Sequence, residues 1–281
     1  MNQTLPTTRT RRRPVVALAT LLGALLILGE PFTLPGRTSP VEAQSLPTLE
    51  VAAASDLRFA LEDISALFER QQRVRVRISF GSSGQLATQI EQGAPFDALF
   101  SANEAFVQEL ARKGLMLPDT VQLYAIGRIV FWVRTASPII VTDGFAALLD
   151  ERVRFVAIAN PEHAPYGQAA VQALRTAGAY ERVRTKLVLG ENISQTLQFV
   201  QTGNADIGIV ALSLAIAPAV RPTGRYWTVP AYLHRPIRQA AGVTARSRNQ
   251  QLARALLEFV NGPAGRPVMR RYGFTLPGES L

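Results

Sequence analysis

The chain of 281 residues contains no cysteine. That excludes a disulfide framework, a thiolate metal site and a thiol nucleophile. It also argues against a lipid-anchored lipoprotein, which needs a cysteine at its mature start. Histidine is nearly absent too, with two in the chain, and no group of histidines and carboxylates has metal-ligand spacing. Aromatic residues make up 7% of the chain, and its 30 lysines and arginines are scattered along it. A nucleic-acid groove needs a basic track with stacking aromatics, so nucleic acid is not an expected partner. Low-complexity tracts are missing, and 47% of residues are apolar, enough for a sizeable core in two domains of ordinary size.

One long apolar run exists, and it lies at the amino terminus. Arg9, Arg11, Arg12 and Arg13 precede the uncharged stretch from Val15 to Gly29, and Val41-Glu42-Ala43 is a small-x-small site. Positive, apolar and cleavable regions in that order mark an export signal. Residues 1–43 are therefore expected to be a removed signal peptide and the protein periplasmic. The alternative is a retained anchor, although the run falls short of the roughly 20 residues that span a bilayer. The formal charge is +9, and leaving out residues 1–43, with five arginines and two glutamates, makes it +6. A positive field draws in anions; a solvated basic surface is the plain alternative.

Beyond residue 43, strands and helices alternate. Leu49 to Ala53 is a short apolar strand. Leu57, Leu61, Ile64, Leu67 and Phe68 recur at helical spacing. Val74, Val76, Ile78 and Phe80 alternate with polar residues, as in a half-buried strand. Gly84 to Gln92, Gly167 to Ala177 and Ser194 to Thr202 read as helices stopped by Gly93, Gly178 and Gly203. Ile126 to Val133 is suited to a strand crossing between domains. This pattern predicts an α/β protein with mostly parallel sheets flanked by helices. The expected division is 44–126 for the first part of one lobe, 127–239 for the second lobe, and 240–281 for a return to the first.

Four strand-to-helix turns share one design: Ala54-Ser55-Asp56, Gly81-Ser82-Ser83-Gly84, Ala164-Pro165-Tyr166-Gly167 and Glu191-Asn192-Ile193-Ser194. Each sits at the carboxyl end of an apolar strand and opens a helix with hydroxyl, amide or glycine residues. The first turn of a helix leaves N–H groups without internal partners, and these attract anions. In open α/β sheets, ligands bind at the carboxyl ends of strands. Taken singly, each turn is explained by ordinary capping. Taken together, they can surround a tetrahedral dianion with donors and no Lys or Arg, with Ser55, Ser83 and Tyr166 adding hydroxyls.

Further stretches carry a resemblance: Ala52-Ala53-Ala54-Ser55, Ser79-Phe80-Gly81-Ser82-Ser83-Gly84, Gln89-Ile90-Glu91-Gln92-Gly93-Ala94-Pro95-Phe96-Asp97, Ser101-Ala102-Asn103-Glu104, Ala159-Asn160-Pro161-Glu162-His163-Ala164-Pro165-Tyr166-Gly167, Lys186-Leu187-Val188, Gly208-Ile209-Val210-Ala211 and Arg271-Tyr272-Gly273-Phe274. Over nearly all of the chain past residue 43, this resembles the molybdate-binding proteins of ABC transporters. The resemblance implies the two-lobed type II periplasmic binding protein fold, with the ligand in the interlobe cleft. It also implies capture of molybdate or tungstate and delivery to the membrane permease of an ABC importer. The implied contacts are Ser55, Ser83, Tyr166 and Ile193, the last through its N–H. They would touch the oxygens of the oxyanion and are not direct metal ligands. Some members carry a tyrosine where Ala211 stands, so that contact is missing here, and Asn103 replaces a usual aspartate at a position expected to be structural.

Asp56 joins the expected ligand-binding set ambiguously. A carboxylate beside a dianion is repelled. It can serve as a helix N-cap, or it can accept the proton of a protonated phosphate, which keeps a phosphate or sulfate receptor as the alternative. An enzyme on the same fold would need a Ser83–His163–Asp triad, but the turn lacks the spacing of a nucleophile elbow. Tyr124, Tyr166, Tyr180 and Tyr226 are too dispersed for an iron site. Asn192-Ile193-Ser194 matches a glycosylation sequon, read here as chance. The protein is expected to be a monomer, not an enzyme, and to use no cofactor besides its ligand.

Overall fold

The structure, a computed structural model, describes residues 46–279; the expected signal peptide, residues 1–43, lies outside the described residues. In chain order the strands are β1 (Thr48–Ala54), β2 (Arg75–Gly81), β3 (Ala98–Ser101), β4 (Gln122–Gly127), β5 (Ile129–Arg134), β6 (Val156–Ala159), β7 (Leu187–Gly190), β8 (Ile207–Ala211), β9 (Gly224–Thr228) and β10 (Ile237–Val243). The α-helices are α1 (Arg58–Gln72), α2 (Ser83–Glu91), α3 (Glu104–Arg112), α4 (Pro165–Thr176), α5 (Tyr180–Val183), α6 (Ile193–Thr202), α7 (Leu212–Ala215), α8 (Gln250–Asn261) and α9 (Gly265–Arg271).

The strands form two five-stranded sheets, ordered β2-β1-β3-β10-β4 and β7-β6-β8-β5-β9. In each sheet four strands run one way and the fourth in order, β10 or β5, runs against them. The reversed strand is in both cases the one that enters from the other sheet. The interior strands read as continuous apolar runs because helices cover both faces. Leu49, Val51, Ala52 and Ala53 of β1 are fully buried, as are all of β6 and β8. Strand β2 lies at an edge, where Arg75 and Arg77 face solvent and discourage pairing with another chain.

The run from Ile126 to Val133, expected as one crossing strand, is two. β4 ends at Gly127 in the first sheet and β5 begins at Ile129 in the second, with Arg128 alone between them. Hydrophobic periodicity does not register the change of partner, because both halves are buried. Strand β10 starts at Ile237, ahead of the return expected from residue 240, and within it Gln239 is fully buried despite its polarity. Helices α2 and α4 begin at Ser83 and Pro165, one and two residues before the expected starts. Pro165 occupies the first turn, where a missing N–H has no cost. Helix α6 begins one residue ahead of the expected Ser194 and ends at Gly203, whose φ of 83° places it in the left-handed region.

Helix α1 buries Ala60, Leu61, Ile64 and Phe68 along one face, and Phe68 meets Phe259 of α8 edge-on at 5.4 Å. Leu61, Ile64 and Phe68, each fully buried, contribute about 1.5–3 kcal/mol apiece. This packing holds the first sheet and its helices as a rigid platform from which the turns after β1, β2 and β3 project.

Candidate functional site

The turns at the carboxyl ends of β1, β2, β6 and β7 converge on one cavity. It is lined by Ala54, Ser55, Asp56, Gly81, Ser82, Ser83, Ala102, Ala164, Pro165, Tyr166 and Ile193. All five residues expected at the ligand are among them, and each is at most 3% exposed. The cavity is small, about 10 Å³. Larger grooves of about 560 and 490 Å³ open beside it, the first bordered by Arg58 and the second by Arg235 and Arg238. Converging helix starts, rather than volume, single out the smaller space as the candidate site. None of its lining residues is Lys, Arg or His.

The helix starts around this cavity are incompletely capped. The 3-10 turn Ser55–Leu57 and helix α4 have no side-chain cap at Ala54 and Ala164. In α6 the Asn192 side chain accepts from the N–H groups of Ser194 and Gln195, leaving the Ile193 N–H outside the cap. In α2 the Ser82 hydroxyl accepts from the Gln85 N–H at 3.4 Å. Backbone N–H groups so placed, with a helix dipole behind them, form an anion site that needs no formal positive charge.

The hydroxyls divide in a way sequence did not reveal. Ser83 Oγ accepts from the Ala102 N–H at 2.9 Å, so its own proton remains to be donated. Ser55 Oγ donates to Asn192 Oδ1 at 3.1 Å, across the cleft, and accepts from the Ser194 N–H. The Tyr166 phenol, expected as a ligand donor, instead donates to Asp56 Oδ2 at 2.8 Å. Its main-chain N–H lies in the first turn of α4, which has no side-chain cap.

Asp56 is not an N-cap; it is the middle residue of the 3-10 turn. Its Oδ2 also accepts from Gln239 Nε2 at 2.8 Å, and Gln239 is held in that orientation by Tyr124, whose hydroxyl donates to Oε1 at 2.7 Å. The other carboxylate oxygen, Oδ1, has no hydrogen-bond partner. Burial pushes the Asp56 carboxyl up from 3.8 to about 6, against the opposing pull of the bonds from Gln239 and Tyr166 and of nearby main-chain N–H groups. Burial and the Asp56 charge raise Tyr124 and Tyr166 well above the ordinary tyrosine range, so both stay protonated donors.

The two walls are bonded to each other around the cavity. The Gly84 N–H donates to the His163 carbonyl at 3.0 Å, an approach that only glycine permits, since a Cβ there would lie 2.8 Å from that oxygen. Gln85 donates to Glu191 at 2.8 Å, and Ser213 donates to the Asp56 carbonyl at 2.7 Å. His163 Nδ1 lies 2.7 Å from Ser82 Oγ. The histidine thus pairs with Ser82 and not with Ser83, and no Ser83–His163 nucleophile is assembled. Of the four tyrosines weighed as iron ligands, Tyr124 and Tyr166 serve the Asp56 network and Tyr180 lies beneath Arg175. No group of three or more His, Asp or Glu suited to a metal occurs among the described residues.

Gln239 and Asn192 join the site through Asp56 and Ser55, beyond the residues expected at the ligand. A buried glutamine at the head of an apolar strand was the one available signal for Gln239. Asn103 caps α3, accepting from the Ala105 N–H at 2.9 Å.

Two lobes, each a helix-flanked sheet presenting helix starts to a shared cleft, define the class of two-lobed solute-binding proteins. Residues 49–275 match the family described as bacterial extracellular solute-binding protein, and the chain belongs to that family. It is 37% identical over 228 residues to the molybdate-binding protein ModA of Azotobacter vinelandii, covering 81% of this chain and 90% of that relative. It is also 37% identical over 223 residues to ModA of Rhodobacter capsulatus, covering 79% and 86%. Among solved structures, the Azotobacter vinelandii periplasmic molybdate-binding protein superposes with a TM-score of 0.77 at 32% identity, covering 82% of this chain and 99% of that one.

Proposed function

We propose that this protein captures a tetrahedral oxyanion, molybdate or tungstate, outside the cytoplasm and hands it to the membrane permease of an ABC importer. The observation that carries this is the convergence of four helix-opening turns on one cavity without a cation, with the Ser83 proton free to donate. The proposed contacts are the Ser83 hydroxyl, the turn at Ser55 and Asp56, and the N–H groups of Tyr166 and Ile193. Bonds to a charged acceptor are about twice as strong as neutral ones. A donor set held by rigid helices selects by size: a smaller ion such as sulfate leaves longer, weaker bonds.

Kinship to molybdate-binding proteins over four-fifths of the chain supports the same ligand class. A phosphate receptor is the second reading, and the partnerless Oδ1 of Asp56 favours it, because a protonated phosphate needs an acceptor. Calorimetric titration of the purified protein with molybdate, tungstate, sulfate and phosphate decides. Heat with the first two alone is expected. Tight binding of phosphate and none of molybdate or tungstate would replace the proposal with its alternative.

A further inference from the structure

The cavity poses a charge problem that the receptor role does not solve. A dianion entering it meets Asp56, which is fully buried and lines the same space, and no lining side chain is positively charged. Main-chain N–H groups of the turn lie near the carboxylate, yet its Oδ1 makes no hydrogen bond. We infer that capture of the oxyanion takes up one proton from solvent, and that this proton is shared between Oδ1 of Asp56 and an oxygen of the bound ion. This deepens the receptor reading and rests on it. It makes Asp56 a binding residue whose carboxyl must take up a proton before the dianion is held.

The surroundings of Asp56 leave few other homes for the proton. Helix α4 presents the Tyr166 hydroxyl and β10 presents Gln239, both already donating to Oδ2. Strand β4 contributes Tyr124 through Gln239, and α7 contributes Ser213 at the main-chain carbonyl. Helix α6 offers Ile193 and Ser194, which are uncharged. On α1, Arg58 lies half-exposed, 3.6 Å from Glu62. His163 is the nearest competing base, one residue removed from the cavity through Ser82, with Glu191 at 3.7 Å from its other nitrogen. Burial already favours the protonated carboxyl before any anion arrives, and a second negative charge strengthens that preference.

The test is calorimetric titration of the purified protein with sodium molybdate in two buffers of different ionisation enthalpy. The difference in heat counts the protons taken up. One proton per anion is expected in the wild type, with affinity falling by up to about tenfold per pH unit above neutrality. In Asp56→Asn the amide places a donor where Oδ1 stands; uptake should vanish and the affinity become insensitive to pH. Binding without proton uptake in the wild type overturns the inference, and it needs no variant to do so. Uptake that survives Asp56→Asn and disappears in His163→Asn also overturns it, by moving the proton to the histidine. Both results leave the receptor reading standing. Absence of heat with molybdate, tungstate, sulfate and phosphate alike removes that reading and this inference together.

Discussion

Replacing Ser83 with alanine separates the two roles of its hydroxyl. As acceptor, Oγ satisfies the buried Ala102 N–H at 2.9 Å; as donor, its proton is free toward the cavity. Losing the first leaves a buried N–H unpartnered, at a cost of about 1–3 kcal/mol in the stability of the ligand-free protein. For a chain of this size that lowers the unfolding midpoint by roughly 2–10 °C. Losing the second removes a hydrogen bond to a charged group, worth about 1.5–3 kcal/mol, or roughly 10- to 150-fold in Kd. Thermal unfolding without ligand reads the first and calorimetric titration with molybdate the second. Ser82→Ala is the comparison: that hydroxyl faces His163, so its removal should weaken binding less than Ser83→Ala does. A Ser83→Ala protein that melts earlier yet binds molybdate with unchanged Kd would show that Ser83 only supports the loop, and would refute the donor assignment.

Two further outcomes follow from the same geometry. Gly84→Ala puts a methyl group 2.8 Å from the His163 carbonyl, opposing the approach of the two walls; overpacking of this kind costs about 1–3 kcal/mol, so molybdate affinity should fall roughly tenfold. Solution scattering of the ligand-saturated variant should show a more open molecule, and a wild-type profile with wild-type Kd would contradict this. For Asp56, the folded carboxyl titrates at about 6 and its ordinary value is 3.8. The native state therefore holds a proton that the unfolded chain releases, and this stabilisation is complete below about pH 4 and is lost as pH rises through about 6. Across that window the wild type should lose about 3 kcal/mol relative to Asp56→Asn, measured by urea unfolding of both at each end; parallel pH profiles would refute it.

What could be read from the residues was what is local. Each of the four turns advertises itself within four residues, and the rule that ligands gather at the carboxyl ends of strands brought them to one place. The place of Ser83 in the cavity lining is legible for that reason. Partnerships between distant residues were not. Gln239 reaches Asp56 across 183 positions and Asn192 reaches Ser55 across 137, and no periodicity records such pairs. The partner of the Tyr166 phenol is not legible for the same reason: its acceptor, Asp56, lies 110 residues away. The division of Ile126 to Val133 between two sheets is not legible because both halves are largely apolar, and apolarity carries no information about which neighbour buries it.

The placement of β10 between β3 and β4 has a consequence for biogenesis. Until residues 237–243 leave the ribosome, β3 and β4 share no hydrogen-bonded neighbour, so the half of the molecule synthesised first is completed last. A nascent chain of this design stays unfinished while most of its length is made. That delay suits a polypeptide that must cross a membrane before it folds, and it means that a fragment ending before Ile237 would leave its opening sheet split in two.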